Sequence, residues 1–132
     1  QAMENPVFYV QYAHARIAAL GRQAAERGTV RNALADVELS ALTHERECDV
    51  LRRLSELPDV MAIACRERPP HKLTTWLREL AGDFHGFYHD CRVMGEGIDD
   101  ATTQARLWLV EAARIGLVIG LGVLGVSAPE AM

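Results

Sequence analysis

Lysine is almost missing from this chain: Lys72 is the only one, and arginine supplies thirteen of the fourteen basic residues. No glycine-rich run precedes Lys72, which argues against a phosphate-cradling loop that ends in lysine. Long apolar runs are also lacking. Ile115 to Val126 is the most apolar stretch, but it is only twelve residues long and follows Glu111 and Arg114. A membrane span needs about 20 such residues, so this stretch reads as the buried half of a bundle helix. Cysteine is sparse: Cys48, Cys65 and Cys91 are odd in number and have no CxxC spacing. That argues against a zinc ribbon or a disulfide framework and suits a reducing cytoplasm. No basic segment leading into an apolar core opens the chain, so no secretory signal is expected. Gln1-Ala2-Met3 reads as a cloning remnant ahead of Glu4. Strand-like alternation, internal repeats and low-complexity segments are absent too.

What remains is a chain of 132 residues, 49% hydrophobic and 24% charged. That is enough for one soluble globular domain with its own core. The net charge of −4 opposes a broad electrostatic footprint on nucleic acid. The charge is uneven, however. Residues 1–35 carry Arg16, Arg22, Arg27 and Arg31 against Glu4 and Glu26, and the excess acid lies in 36–65 and 93–132. A local basic contact is permitted. Arginine suits bidentate phosphate contacts, although its dominance equally fits genomic base composition.

The periodicity is helical throughout and predicts an all-α, five-helix bundle with short loops. Asn5 as N-cap with Pro6 behind it starts the first helix, whose stripe is Val10, Ala13, Ile17 and Leu20 and whose stop is Gly28. Residues 29–42 read as a connection. Thr43 is the expected cap of the second helix, with Glu45 and Glu47 in its first turn and Val50, Leu51, Leu54 and Leu57 inward. Pro58 opens a short helix to about Arg66, with Val60, Ile63 and Ala64 buried. After Pro69-Pro70 comes the clearest pattern: Leu73, Trp76, Leu77, Leu80, Ala81, Phe84, Phe87, Tyr88 and Cys91. Asp99 or Asp100 caps the last helix, with Leu107, Val110, Leu117, Val118, Leu121 and Leu124 on its face. Gly116 and Gly120 are expected to mark close helix packing.

Few constellations carry chemistry. His85 and His89 are four apart, which formally allows two metal ligands, but Gly86 occupies the position where a zincin has glutamate and no third ligand is suggested. No metal site and no catalytic residue are therefore expected. Two tyrosine–arginine pairs stand out. Tyr12 and Arg16 are one turn apart on the first helix, and Tyr88 and Arg92 repeat that spacing at the end of the long one. Such rings can stack unpaired bases, and guanidinium groups can stack or hold phosphate, as in recognition of single-stranded RNA. The plainer alternative is a pair of tyrosines at the rim of the core.

Four islands of sequence carry a resemblance. They are Asn5-Pro-Val-Phe-Tyr-Val-Gln-Tyr-Ala-His-Ala-Arg-Ile17; Leu42-Thr-His-Glu-Arg-Glu47 with Leu51-Arg-Arg-Leu54; Phe84-His-Gly-Phe-Tyr-His-Asp-Cys-Arg-Val93; and Ala105-Arg-Leu107 with the ending Leu124-Gly-Val-Ser-Ala-Pro-Glu-Ala-Met132. Residues 4–132 resemble the C-terminal anticodon-binding (DALR) domain of bacterial-type arginyl-tRNA synthetase. The resemblance implies a bundle of the class I synthetase anticodon-binding type. It further implies a cytoplasmic, monomeric parent that joins arginine to its tRNA using ATP and magnesium. Neither the HIGH-type nor the KMSK-type signature of that chemistry is present, so the chain reads as a non-catalytic recognition module without a catalytic domain or a cofactor of its own. Its partner would be the anticodon loop of arginine tRNA, with no role for DNA or membrane.

Residue by residue, the resemblance implies Tyr12 and Tyr88 as base-stacking platforms and Met132 as an apolar contact near an anticodon base. Gln11, Arg16 and Arg92 become candidates for base-edge or phosphate contacts. Some family members have an aromatic residue where this chain has Arg92. Two alternatives remain: the corresponding domain of another class I synthetase, such as the cysteine enzyme, or a helical protein-interaction scaffold.

Overall fold

A computed structural model describes residues 5–67 and 69–132. The expectation for Gln1-Ala2-Met3 lies outside the described residues. Within them all regular structure is helical: α1 (Pro6–Glu26), α2 (Glu45–Ser55), α3 (Leu57–Ala64), α4 (His71–Asp90) and α5 (Asp100–Val123), with 3-10 turns at Leu34–Asp36 and Leu39–Ala41.

Local chemistry explains most of the boundaries. Asn5 Oδ1 accepts from Val7 N at 2.9 Å, and Pro6 follows at the position where its missing N–H is harmless. At the other end of α1, Gly28 takes φ +71°. Gly28 N then donates to Ala25 O at 3.1 Å and Thr29 N to Ala24 O at 2.8 Å, the paired bonds of a Schellman stop. The cap of α2 is His44, one residue later than the expected Thr43. Its Nδ1 accepts from Arg46 N at 3.0 Å, and Glu47 Oε1 accepts from His44 N at 2.8 Å, a reciprocal box that threonine one residue back is not placed to make. Asp99 caps α5 by accepting from Thr102 N at 3.0 Å.

Helix α4 packs against all four others. Leu73, Trp76, Leu77, Leu80, Phe84 and Phe87 are fully enclosed along it. Where α5 crosses, glycine is a packing requirement. A Cβ on Gly120 would lie 2.5 Å from Leu77 Cδ2, and one on Gly116 would lie 2.9 Å from Leu54 Cδ2. Two expected core residues are corrected. Leu51 and Val118 are exposed, Val118 because the Gly116–Gly120 edge faces α4 and turns it outward with Ile115 and Ile119. Within α3, Val60 is buried, whereas Ile63 and Ala64 are only half-buried.

A buried ion pair joins two of the sequence islands. Glu47 is fully buried and its Oε2 accepts from Arg106 Nε at 2.5 Å, while Arg106 Nη1 donates to Arg92 O at 2.6 Å. One guanidinium therefore fastens α2, α5 and the turn after α4 together. The connection at 29–42 is stitched to α5 as well: Gln104 Oε1 accepts from Asn32 N at 2.7 Å, Gln104 Nε2 donates to Val30 O at 2.8 Å, and Trp108 Nε1 donates to Asn32 O at 2.9 Å.

Candidate nucleic-acid interface

The 3.6-residue period puts Tyr12 and Arg16 on the same face of α1, and packing of α1 on α4 brings that face to Tyr88. The Arg16 guanidinium lies 4.3 Å from the Tyr88 ring centroid and 5.0 Å from that of Tyr12. Its Nη2 donates to Tyr12 Oη at 3.0 Å, and its Nη1 meets His85 Nδ1 at 3.2 Å. A guanidinium can only donate, so His85 must accept there as a neutral ring. Burial and the adjacent Arg16 charge keep it neutral, pushing its pKa down to about 4. Tyr9, Tyr12 and Phe84 enclose the imidazole at centroid distances of 5.1, 5.5 and 5.7 Å.

This arrangement corrects the picture of two separate tyrosine–arginine pairs. Tyr88 is partnered by Arg16 from the other helix, not by Arg92. Helix α4 ends at Asp90 and the chain leaves it extended at Cys91, so Arg92 no longer follows the helical period from Tyr88. Arg92 is exposed at the Gly95–Gly97 turn and donates to Glu96 O. Nor do the two histidines of α4 converge: His85 faces α1, whereas His89 is on the surface beside Asp90 at 2.8 Å. Among the described residues no three His, Cys, Asp or Glu side chains are placed to hold a metal ion.

The C-terminal segment adds a further wall beside Tyr12, Arg16 and Tyr88. Gly125, with φ +73°, stops α5 through a second Schellman pair, Gly125 N to Gly122 O at 3.0 Å and Val126 N to Leu121 O at 2.9 Å. The chain then runs back along α1, where three side chains hold its backbone. Gln11 Nε2 donates to Ser127 O at 2.9 Å, His14 Nδ1 pairs with Pro129 O at 2.8 Å, and Arg22 Nη1 donates to Glu130 O at 3.2 Å. Since a carbonyl oxygen can only accept, His14 carries its proton on Nδ1. Val126 and Ala128 add apolar contact with the core.

Met132, 63% exposed, thereby reaches a concavity of about 230 Å³ that Tyr12, Arg16, Arg22 and Tyr88 also line. Of the six residues singled out from sequence, four meet in this one place: Tyr12, Arg16, Tyr88 and Met132. Arg92 lies in a neighbouring concavity that shares Tyr88 as a wall. Gln11 is 8% exposed and its amide is engaged with the tail, so it stands behind the surface. Sequence reasoning did not find His14, Arg22 or His85 as members of this assembly. The one local signal was Gly125-x-x-x-Pro129, a stop and a turn that sends the tail back on itself.

The comparisons with known proteins agree with one another. The family described as the DALR anticodon binding domain matches residues 10–132. The arginine–tRNA ligase of Frankia alni is 51% identical over all of this chain, and that of Carboxydothermus hydrogenoformans is 50% identical over 98% of it. This chain spans 24% and 23% of those two proteins, about a quarter of their length. The Thermus thermophilus arginyl-tRNA synthetase structure superimposes with a TM-score of 0.78 at 28% identity, over 98% of this chain and 22% of that one.

Proposed function

This chain belongs to the DALR anticodon-binding domain family, and from that premise we propose that it binds the anticodon loop of arginine tRNA as the recognition module of an arginine–tRNA ligase. One observation carries the reading: Tyr12, Arg16, Tyr88 and Met132 come from three distant parts of the chain and line one concavity. Two phenol rings braced by a guanidinium suit bases turned out of a loop, because stacking needs only a flat polarizable face. Arg16 is pre-organised by His85 and both rings, so little rotamer freedom is lost when it meets a base edge or phosphate. Gln11 acts one step back by holding the tail that presents Met132. The helical bundle is of the class I synthetase anticodon-binding type.

In the proposed parent, a monomeric cytoplasmic enzyme, ATP and magnesium serve the joining of arginine to tRNA in segments outside this chain. No step of that chemistry runs through the residues described here. This domain supplies binding energy far from the reacting carboxylate, which can be used to orient the acceptor end and to discriminate between tRNAs. For the membrane, no helix among the described residues is long and apolar enough to cross one.

The test is titration of this chain with an arginine-tRNA anticodon stem-loop and with a version whose anticodon bases are substituted. The expected result is weaker binding of the substituted loop. Equal binding to both would remove recognition from this chain and leave the scaffold reading.

A further inference from the structure

A second concavity, of about 340 Å³, lies on the other side of Tyr88, bounded by Gln23 of α1, by Arg27 just beyond its end and by Arg92 of the turn after α4. Its floor is apolar, formed by Leu20, Val93 and Met94. Two guanidinium groups converge at its mouth. A Cβ built on Gly95 would meet Arg27 Nη1 at 3.5 Å and Arg92 Nη1 at 3.9 Å, so both reach the same point over a residue whose φ of +120° suits glycine. Among the described residues neither arginine has a carboxylate partner. Arg92 donates only to the backbone of Glu96, and no side-chain hydrogen bond engages Arg27.

Two like charges held this close repel unless something negative lies between them. The negative C-terminal ends of α1 and α4 offset part of that repulsion. They do not use the forked donors, because the Schellman bonds already satisfy Ala24 and Ala25 at the end of α1. Arg31, Arg46, Arg53, Arg106 and Arg114, by contrast, each meet a carboxylate. This pair borders an open concavity and has no carboxylate partner among the described residues.

We infer that Arg27 and Arg92 form a phosphate subsite that grips one phosphodiester of the RNA backbone next to the base stacked on Tyr88. The site rests on the anticodon-loop reading and deepens it. Tyr88 is the common wall: a nucleotide whose base enters the Met132 side places its sugar–phosphate over the ring edge and towards the two arginines. The guanidinium forks supply donors that match phosphate oxygens in pairs, and Gln23 offers an amide at the rim. Nothing here reads sequence. The subsite sets register, so that the stacking side is presented with the right base.

The test uses this chain, a short arginine-tRNA anticodon stem-loop and fluorescence anisotropy. Arg27→Gln and Arg92→Gln are each expected to weaken binding about fivefold or more and to lower the slope of log affinity against log salt by about 0.7, the value for one phosphate on a single strand. The double variant should lose little more slope than either single one, because both residues hold the same group. Replacing loop phosphates one at a time by neutral methylphosphonate should reveal one linkage that matters to the wild-type chain and no longer matters to either variant. Both side chains are at the surface, and circular dichroism melts check that the variants fold. If wild-type chain binds, Tyr88→Ala abolishes binding, and both arginine variants keep affinity and salt slope, the subsite is overturned and the anticodon reading stands. A loss in the variants that no single linkage reproduces also overturns it, leaving general charge. Failure of the wild-type chain to bind the loop at all overturns both.

Discussion

Gln11→Met tests whether Gln11 itself meets RNA or only holds the tail proposed to do so. Methionine keeps the length and volume of the buried side chain but removes the amide that donates to Ser127 O at 2.9 Å. One such neutral bond contributes about 1 kcal/mol net. Its loss lowers the ratio of docked to undocked tail about fivefold, while His14, Arg22 and the apolar contacts of Val126 and Ala128 remain. RNA affinity should fall only as far as the docked fraction falls, so about fivefold is an upper bound. A direct base contact would behave differently: its loss costs about 1–3 kcal/mol and relaxes preference at one base. The assay is a double-mutant cycle with removal of Met132, read by anisotropy with anticodon-substituted loops. In the chain without Met132, Gln11→Met should change almost nothing. Carboxypeptidase release of Met132, measured without RNA, should speed up by about the same fivefold factor, since digestion tracks the open population. If Gln11→Met loses as much affinity without Met132 as with it, or alters base preference, the reasoning is wrong and Gln11 contacts RNA.

Three further outcomes follow from the packing and the charges. Gly120→Ala and Gly122→Ala each gain about 1 kcal/mol of helix propensity, but only the first drives a Cβ to 2.5 Å from Leu77, an overpacking worth about 1–3 kcal/mol. Urea melts should therefore show Gly122→Ala stabilised and Gly120→Ala neutral to destabilised by about 2 kcal/mol; equal shifts would refute the α4–α5 contact. Glu47→Ala leaves Arg106 charged and largely enclosed and strips the cap of α2, so chemical denaturation should report a loss of about 3–5 kcal/mol. His85 has a folded pKa of about 4 against 6.5 for a free imidazole, so protonation favours the unfolded chain. Its contribution is complete above pH 6.5 and is lost as pH falls towards 4. His85→Gln should flatten stability across that window, and a slope unchanged by the substitution would show that the imidazole is not held neutral.

Much of the fold was legible because it is local. Asn5-Pro6, Gly28 and Asp99 act through bonds to residues two to five positions away, and the α4 stripe needs only the helical period. Errors came where that locality fails. His44 took the cap from Thr43 because Glu47 reaches back to it, and Glu47 sits inward because Arg106, fifty-nine residues on, meets it. Leu51 and Val118 satisfy the apolar period but face outward, since a helix in a small bundle buries a narrower stripe than its sequence offers.

The interface divides in the same way. Sequence alone determined the helical class, the helix stops and the ring and guanidinium types available on each face. These follow from periodicity and capping, which act within a few residues. Tertiary structure alone decided which of them share a site. Arg16, still bonded to Tyr12 on its own helix, also lies over Tyr88, Arg92 turned away at Cys91, and Gln11 went to hold the tail that brings Met132 alongside. Those choices depend on the approach of α1 to α4 and on the direction of the chain after Gly125. They are set by long-range packing and by backbone acceptors more than a hundred residues away in sequence, beyond the reach of any local pattern.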